Sequence, residues 1–231
     1  MSDLHRAELQ FLATQTSGKV SAILLRPAGA RWLLVLAHGA GAGMRHRFMN
    51  ELSDELARQS IATFRYQFPY IEQGGGRPDP PAILAATVRA AVQAATESAP
   101  DLALLAGGKS LGGRMTSTAA SQKTLPGVQG LVFFGFPLHP TGQPSVERAL
   151  HLKSVTVPLL FLQGTRDKLA ELELLRPVCN DLGGLATLHI IEGADHSFAV
   201  LKSSGRSAGE VLQELGGAVA EWATRLVVMS N

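Results

Sequence analysis

The stretch LALLAGGKSLGG, residues 102–113, most constrains how this chain can fold. An apolar run stops at two glycines, a Lys-Ser pair follows, and two more glycines come directly after Leu111. Two kinds of strand-to-helix turn share this look. In one, Gly-Lys-Ser closes a phosphate-binding loop; in the other, Gly-x-Ser-x-Gly presents a serine hydroxyl. The phosphate loop needs a glycine at position 103, which is Ala103. Residues 102–106, Leu-Ala-Leu-Leu-Ala, also read as strand, not as a wide loop whose amides could wrap a phosphate. The next apolar run, LVFFGF, ends without the acidic residue that would help hold magnesium. The serine turn fits position by position. Gly108 and Gly112 flank Ser110 where neighbouring backbone must pass close, and Gly113 lets the new helix pack tightly on the sheet. Lys109 occupies the free position of the motif and reads as incidental to the chemistry.

Short apolar runs alternate with amphipathic ones along the whole chain. Strands are expected near 7–13, then at 20–27, 32–39, 61–68, 102–108, 128–137, 157–164 and 186–193. Helices are expected at 47–60, 81–98, from about Ser110 onward, and near 208–228. Continuous Val/Ile/Leu runs between helices indicate strands covered on both faces, hence a mostly parallel α/β sheet flanked by helices. With 231 residues, 45% hydrophobic and 17% charged, the chain reads as one globular α/β domain over residues 1–231. Its net charge of +2 is scattered without a Lys/Arg run, which argues against a nucleic-acid or membrane-surface partner. The lone cysteine, Cys179, excludes an intrachain disulfide and reads as an apolar filler. No apolar signal core or bilayer-length run is visible, so a soluble, cytoplasmic protein is the expectation. No cofactor and no metal site are expected, since no Cys/His cluster has zinc spacing.

In open α/β sheets, ligands collect at the carboxyl ends of the strands, so chemistry is sought there. A serine hydroxyl needs a base within hydrogen-bond reach and an acid to orient that base. In folds with this turn the chain order is Ser, then Asp or Glu, then His. LFLQGTRD places Asp167 after one late strand, and HIIEGADHSF places His196 after the next. His189 lies inside a strand, and His5, His46, His139 and His151 lack the strand end and glycine turn that surround His196. Asp195 adjoins His196, where side chains diverge, and reads as a shaper of its loop. Two backbone donors for an oxyanion are expected: the amide of Leu111, and that of Ala40 in the glycine-rich loop LAHGAGAG at 36–43. That loop does not match Gly-x-Gly-x-x-Gly, so no dinucleotide site is supported, and His38 is expected to fix the loop by hydrogen bonding.

These residues resemble the α/β-hydrolase superfamily. More narrowly, the chain is similar to the dienelactone-hydrolase-like group, which includes the testis-expressed protein 30 type and the hydrolase-like domain of a chromatin-complex subunit. The likeness rests on AHGAGAGMRHRFM (37–49), FRYQFPY (64–70), GGKSLGGRM (107–115), FGFPLHPTGQP (134–144), LQGTRDKL (162–169) and GADHSF (193–198). It implies the α/β-hydrolase fold, Ser110, Asp167 and His196 as a triad, and Ala40 and Leu111 as oxyanion donors. Dienelactone hydrolases proper carry cysteine at the turn where this chain has Ser110, which speaks against dienelactone chemistry.

About 20 residues separate the strands at 128–136 and 157–163, too few for a cap domain. An open site is therefore expected, with Phe68, Tyr70, Pro137, Leu138 and Phe198 as candidate pocket residues. The leading expectation is a serine hydrolase acting on a small-molecule carboxylic ester or thioester. The alternative is a binding or scaffold protein that keeps the fold without turnover. The sequence does not specify an oligomeric state.

Overall fold

The computed structural model describes residues 4–229. Eight strands form one sheet: β1 (Leu4–Thr14), β2 (Gly18–Pro27), β3 (Trp32–Ala37), β4 (Ile61–Tyr66), β5 (Ala103–Lys109), β6 (Val128–Phe134), β7 (Leu159–Gly164) and β8 (Ala186–Ile191). Their spatial order is β1-β2-β4-β3-β5-β6-β7-β8. β2 runs antiparallel to both β1 and β4, and every later pairing is parallel. The mostly parallel sheet read from the sequence is thus present, with an antiparallel hairpin at one edge. Among the described residues six α-helices accompany it: α1 (Arg47–Arg58), the short α2 (Pro69–Glu72), α3 (Pro81–Ser98), α4 (Leu111–Gln122), α5 (Leu172–Asp181) and α6 (Ala208–Met229).

Strand side chains alternate between two apolar layers, as a period of two requires. On one side Leu33, Val35, Leu104, Ala106, Phe133 and Phe161 pack with Val88, Val92, Met115 and Leu175 of α3, α4 and α5. On the other, Leu34, Leu36, Leu105, Phe134 and Leu162 pack with Leu52 and Leu56 of α1 and Leu215, Val219 and Trp222 of α6. Every residue of β3, β4 and β7 is buried, as strands covered on both faces require. Cys179 sits in the first layer as a buried free thiol, and burial pushes its pKa up to about 11.

Five strands, β3, β4, β6, β7 and β8, are shorter than expected. β6 stops at Phe134 because Gly135 turns the chain at a φ of 70°. β7 opens at Leu159, after a proline that has no amide to give to a ladder. The connection between β6 and β7 holds a single stretch of 3₁₀ helix, Glu147–Ser154, and no separate cap domain. Among the described residues no helix is long and apolar enough to cross a membrane.

The strand order reverses at β3. The chain leaves β3 for β4 on one side, then returns to place β5 on the other. Loops leaving β3 and β5 must therefore diverge and open a crevice at their carboxyl ends. Gly39 and Ser110 are the residues that reach it.

Candidate active site

β5 ends in a turn that only a crowded backbone explains. Ser110 has φ 51° and ψ −116°, a conformation that side-chain-bearing residues avoid. Its amide donates to Phe134 O at 3.1 Å, and its carbonyl accepts from Arg114 N at 3.1 Å, so strand and helix share it. A Cβ on Gly108 would stand 2.4 Å from Ala37 O, and one on Gly112 would stand 2.6 Å from both Ala37 O and His38 O. Neither position has room for alanine. The glycines read from the sequence as clearance are used as clearance.

The structure brings Ser110, Asp167 and His196 together. His196 Nε2 lies 2.8 Å from Ser110 Oγ, and His196 Nδ1 lies 2.7 Å from Asp167 Oδ2. An ionised carboxylate only accepts, so Nδ1–H donates to Asp167 and leaves Nε2 free to accept the serine hydroxyl proton. Asp167 is buried, and its oxygens are fully engaged: Oδ2 also accepts from Gln163 Nε2 at 2.6 Å, and Oδ1 accepts from Leu169 N at 2.8 Å. The two loops meet because Gly164 lets them. A Cβ there would stand 2.3 Å from Ala194 O, and Arg166 N donates to that same carbonyl at 2.9 Å. Asp195 turns away from the imidazole, and its Oδ1 accepts from Ser197 N at 2.8 Å and Ala199 N at 3.0 Å.

The loop after β3 is clamped beside Ser110. A Cβ on Gly39 would lie 3.8 Å from that of Ser110. Phe68 N donates to His38 Nε2 at 3.0 Å, which fixes the tautomer, so Nδ1–H donates to Gly39 O at 2.7 Å. Burial pushes the His38 pKa down to about 4, leaving a neutral ring as this pair of bonds requires. Tyr70 Oη donates to Ala40 O at 2.7 Å. The amides of Ala40 and Leu111 make no hydrogen bond among the described residues.

The five expected pocket residues are all buried. Phe68 and Leu138 have no exposed surface and pack in the core. Phe68 instead supports His38, with ring centroids 5.0 Å apart, and Tyr70 works through its hydroxyl. The Phe198 ring stacks on Phe48, centroids 5.7 Å apart. Loops at strand ends turned back into the core here, where position in sequence suggested exposure.

Sequence reasoning missed two contributors. Gln163 reads as one polar residue in an apolar strand, yet it is buried and holds Asp167. Lys109, read as incidental, places Nζ 2.6 Å from the carbonyl oxygen of His196. Gln163 carried a weak signal, a polar side chain in a strand with both faces covered. Lys109 carried none.

Comparison with known proteins agrees with this fold. The family model described as an alpha/beta hydrolase domain matches residues 30–224. Among solved structures, the chain is similar to a dienelactone hydrolase from Anabaena variabilis, at 20% identity and a TM-score of 0.76 over 96% of this chain and 98% of that one. It is similar also to XC6422 from Xanthomonas campestris, described as a serine hydrolase without lid, at 18% identity and TM-score 0.73, covering 94% and 95% of the two chains. An esterase domain from Rhodothermus marinus matches at 17% identity and TM-score 0.71, covering 96% and 98%.

Proposed function

This chain belongs to the alpha/beta hydrolase family, and from that premise we propose that it is a serine hydrolase cleaving small carboxylic esters or thioesters. The observation that carries the reading is the position of His196, whose two ring nitrogens lie 2.8 Å from a serine hydroxyl and 2.7 Å from a buried carboxylate. A serine is a weak nucleophile until a base takes its proton as it attacks.

In the proposed cycle, Ser110 Oγ attacks the substrate carbonyl while His196 Nε2 accepts the hydroxyl proton. Asp167 holds the imidazole in the required tautomer and stabilises the imidazolium that forms. The amides of Leu111 and Ala40 receive the developing oxyanion, a role supported by their having no acceptor among the described residues. His196 returns its proton to the leaving alkoxide or thiolate. Water, deprotonated by His196, then releases the acyl group and restores Ser110. The short β6–β7 connection favours a site approached from solvent by small or extended esters. A reducing cytoplasm is the proposed compartment, consistent with a chain whose one cysteine is a buried thiol.

A fluorophosphonate probe followed by peptide mass spectrometry tests the reading. Wild type should label at Ser110 and hydrolyse p-nitrophenyl acetate, and Ser110→Ala should do neither. A wild-type protein that stays unlabelled beside a labelled control hydrolase would remove the support for catalysis.

A further inference from the structure

The residue bonded to the nucleophile reaches across to the loop that carries the base. Lys109 closes β5, and its Nζ donates to the backbone carbonyl of His196 at 2.6 Å. The ammonium lies 5.5 Å from the centroid of the Phe198 ring, within cation–π range. A Cβ on Gly135 would stand 3.2 Å from Lys109 Nζ and 3.4 Å from His196 Nδ1, so ammonium and imidazole border the same glycine.

The histidine loop has reason to need an outside hold. Phe198, two residues beyond His196, has a φ of 62°, a left-handed conformation that is strained for an aromatic residue. The Asp195 carboxylate and the bond from Phe198 N to Asp195 O at 2.9 Å shape the turn from within. Arg166 N anchors Ala194, and Phe48 backs Phe198. The Lys109 bond grips the peptide of His196 itself, and it comes from the residue next to Ser110.

We infer that Lys109 is a positioning residue whose ammonium ties the serine turn to the histidine loop and keeps His196 Nε2 on Ser110 Oγ through the proton transfers. Its consequence for turnover rests on the serine-hydrolase reading; its geometry does not. The charged and titratable groups facing the ammonium are Asp167 and Asp195, which favour its charge, and the His196 ring. Burial outweighs both carboxylates and pushes the lysine down to about 8. The side chain is therefore charged below that pH and neutral above it. A charge-assisted bond is roughly twice as strong as a neutral one, so the hold weakens as pH rises through this range.

Lys109→Met and Lys109→Gln test this, the first removing the donor and the second keeping a neutral one. On p-nitrophenyl acetate, Lys109→Met should lose about ten- to a hundredfold in kcat with KM within about threefold of wild type. Lys109→Gln should recover part of that loss. Wild type should show a falling alkaline limb near pH 8 that both variants lack. A readout free of turnover accompanies the kinetics: the downfield NMR signal of the His196 Nδ1 proton, hydrogen-bonded to Asp167. It should broaden or vanish in Lys109→Met and persist in Lys109→Gln. Wild-type kcat with an unchanged downfield proton in Lys109→Met would overturn the inference. So would a loss confined to melting temperature, with the kcat of the folded fraction intact. If Lys109→Met does not fold, the alkaline limb of Lys109→Gln decides: its persistence rejects the inference. If wild-type Ser110 fails to label with fluorophosphonate, the hydrolase reading falls while the NMR comparison still judges the lysine.

Discussion

Gln163 and Asp167 face each other across the turn that ends β7, and the Gln163 amide donates to Asp167 Oδ2 at 2.6 Å, on the same oxygen that accepts from His196. The other end of that amide accepts from Phe136 N at 3.0 Å, so one buried side chain links the loop after β6 to the candidate acid. Replacing Gln163 with Leu strips a donor from Asp167 and leaves the Phe136 amide unpaired. The expected outcome is a loss of about 1–3 kcal/mol in urea unfolding, typical of an orphaned buried group. Under the proposed mechanism kcat/KM on p-nitrophenyl acetate should fall as well, measured on the folded protein.

Asp167→Asn keeps the shape of the acid and reverses its hydrogen bonding. An amide nitrogen facing Nδ1 donates where a carboxylate accepts, so the imidazole carries its proton on Nε2 and cannot take one from Ser110. A drop of about 10⁴ in kcat is expected, as for the equivalent change in other serine triads. Steady-state kinetics near pH 7 check it, with circular dichroism to show that the fold persists.

His38 should make stability depend on pH. Its folded pKa is depressed to about 4, and an unfolded histidine titrates near 6.5. The unfolded chain therefore binds the extra proton between those values, and stability falls as pH drops from 6.5 toward 4. Between pH 7.5 and pH 5 this one group should remove about 2 kcal/mol. His38→Gln offers an acceptor to Phe68 N and a donor to Gly39 O without titrating. Urea midpoints at the two pH values should lie closer together in that variant than in wild type.

Gly112 and Gly41 should respond differently to alanine. A Cβ on Gly112 meets Ala37 O and His38 O at 2.6 Å, and backbone on both sides must shift. Overpacking of this kind costs about 1–3 kcal/mol. Gly41 has nothing within 4 Å of its would-be Cβ, so Gly41→Ala should stay within about 0.5 kcal/mol of wild type. Thermal or chemical denaturation of the two variants separates them.

Tyr70→Phe deletes the hydroxyl that donates to Ala40 O at 2.7 Å and lies 3.5 Å from Gly39 O. The loop presenting the Ala40 amide should loosen, and under the proposed mechanism kcat should fall about tenfold with KM little changed. Initial rates across a p-nitrophenyl acetate series would show this split.

The sheet and the serine turn were legible because their causes are local. Apolar runs with both faces covered look continuous in sequence, and crowding around Ser110 admits only glycine at 108 and 112. His196 stood out among seven histidines because it combines a strand end, a glycine-rich turn and a short loop. What escaped notice depends on contacts between distant segments. Lys109 and His196 are 87 residues apart, and nothing in either neighbourhood foretells their bond. The complete burial of Phe68 and Leu138 was hidden for a related reason. Following a strand end puts a residue near the crevice, but which way its side chain points depends on how the loop folds back.

The spare connection between β6 and β7 also bears on time. Enzymes with lids often turn over no faster than the lid opens, a motion of microseconds to milliseconds. A chain with one 3₁₀ stretch at that place has no such door. Under the proposed mechanism, entry and departure at Ser110 would run on the nanosecond clock of side chains and short loops, leaving acyl transfer itself to set the pace.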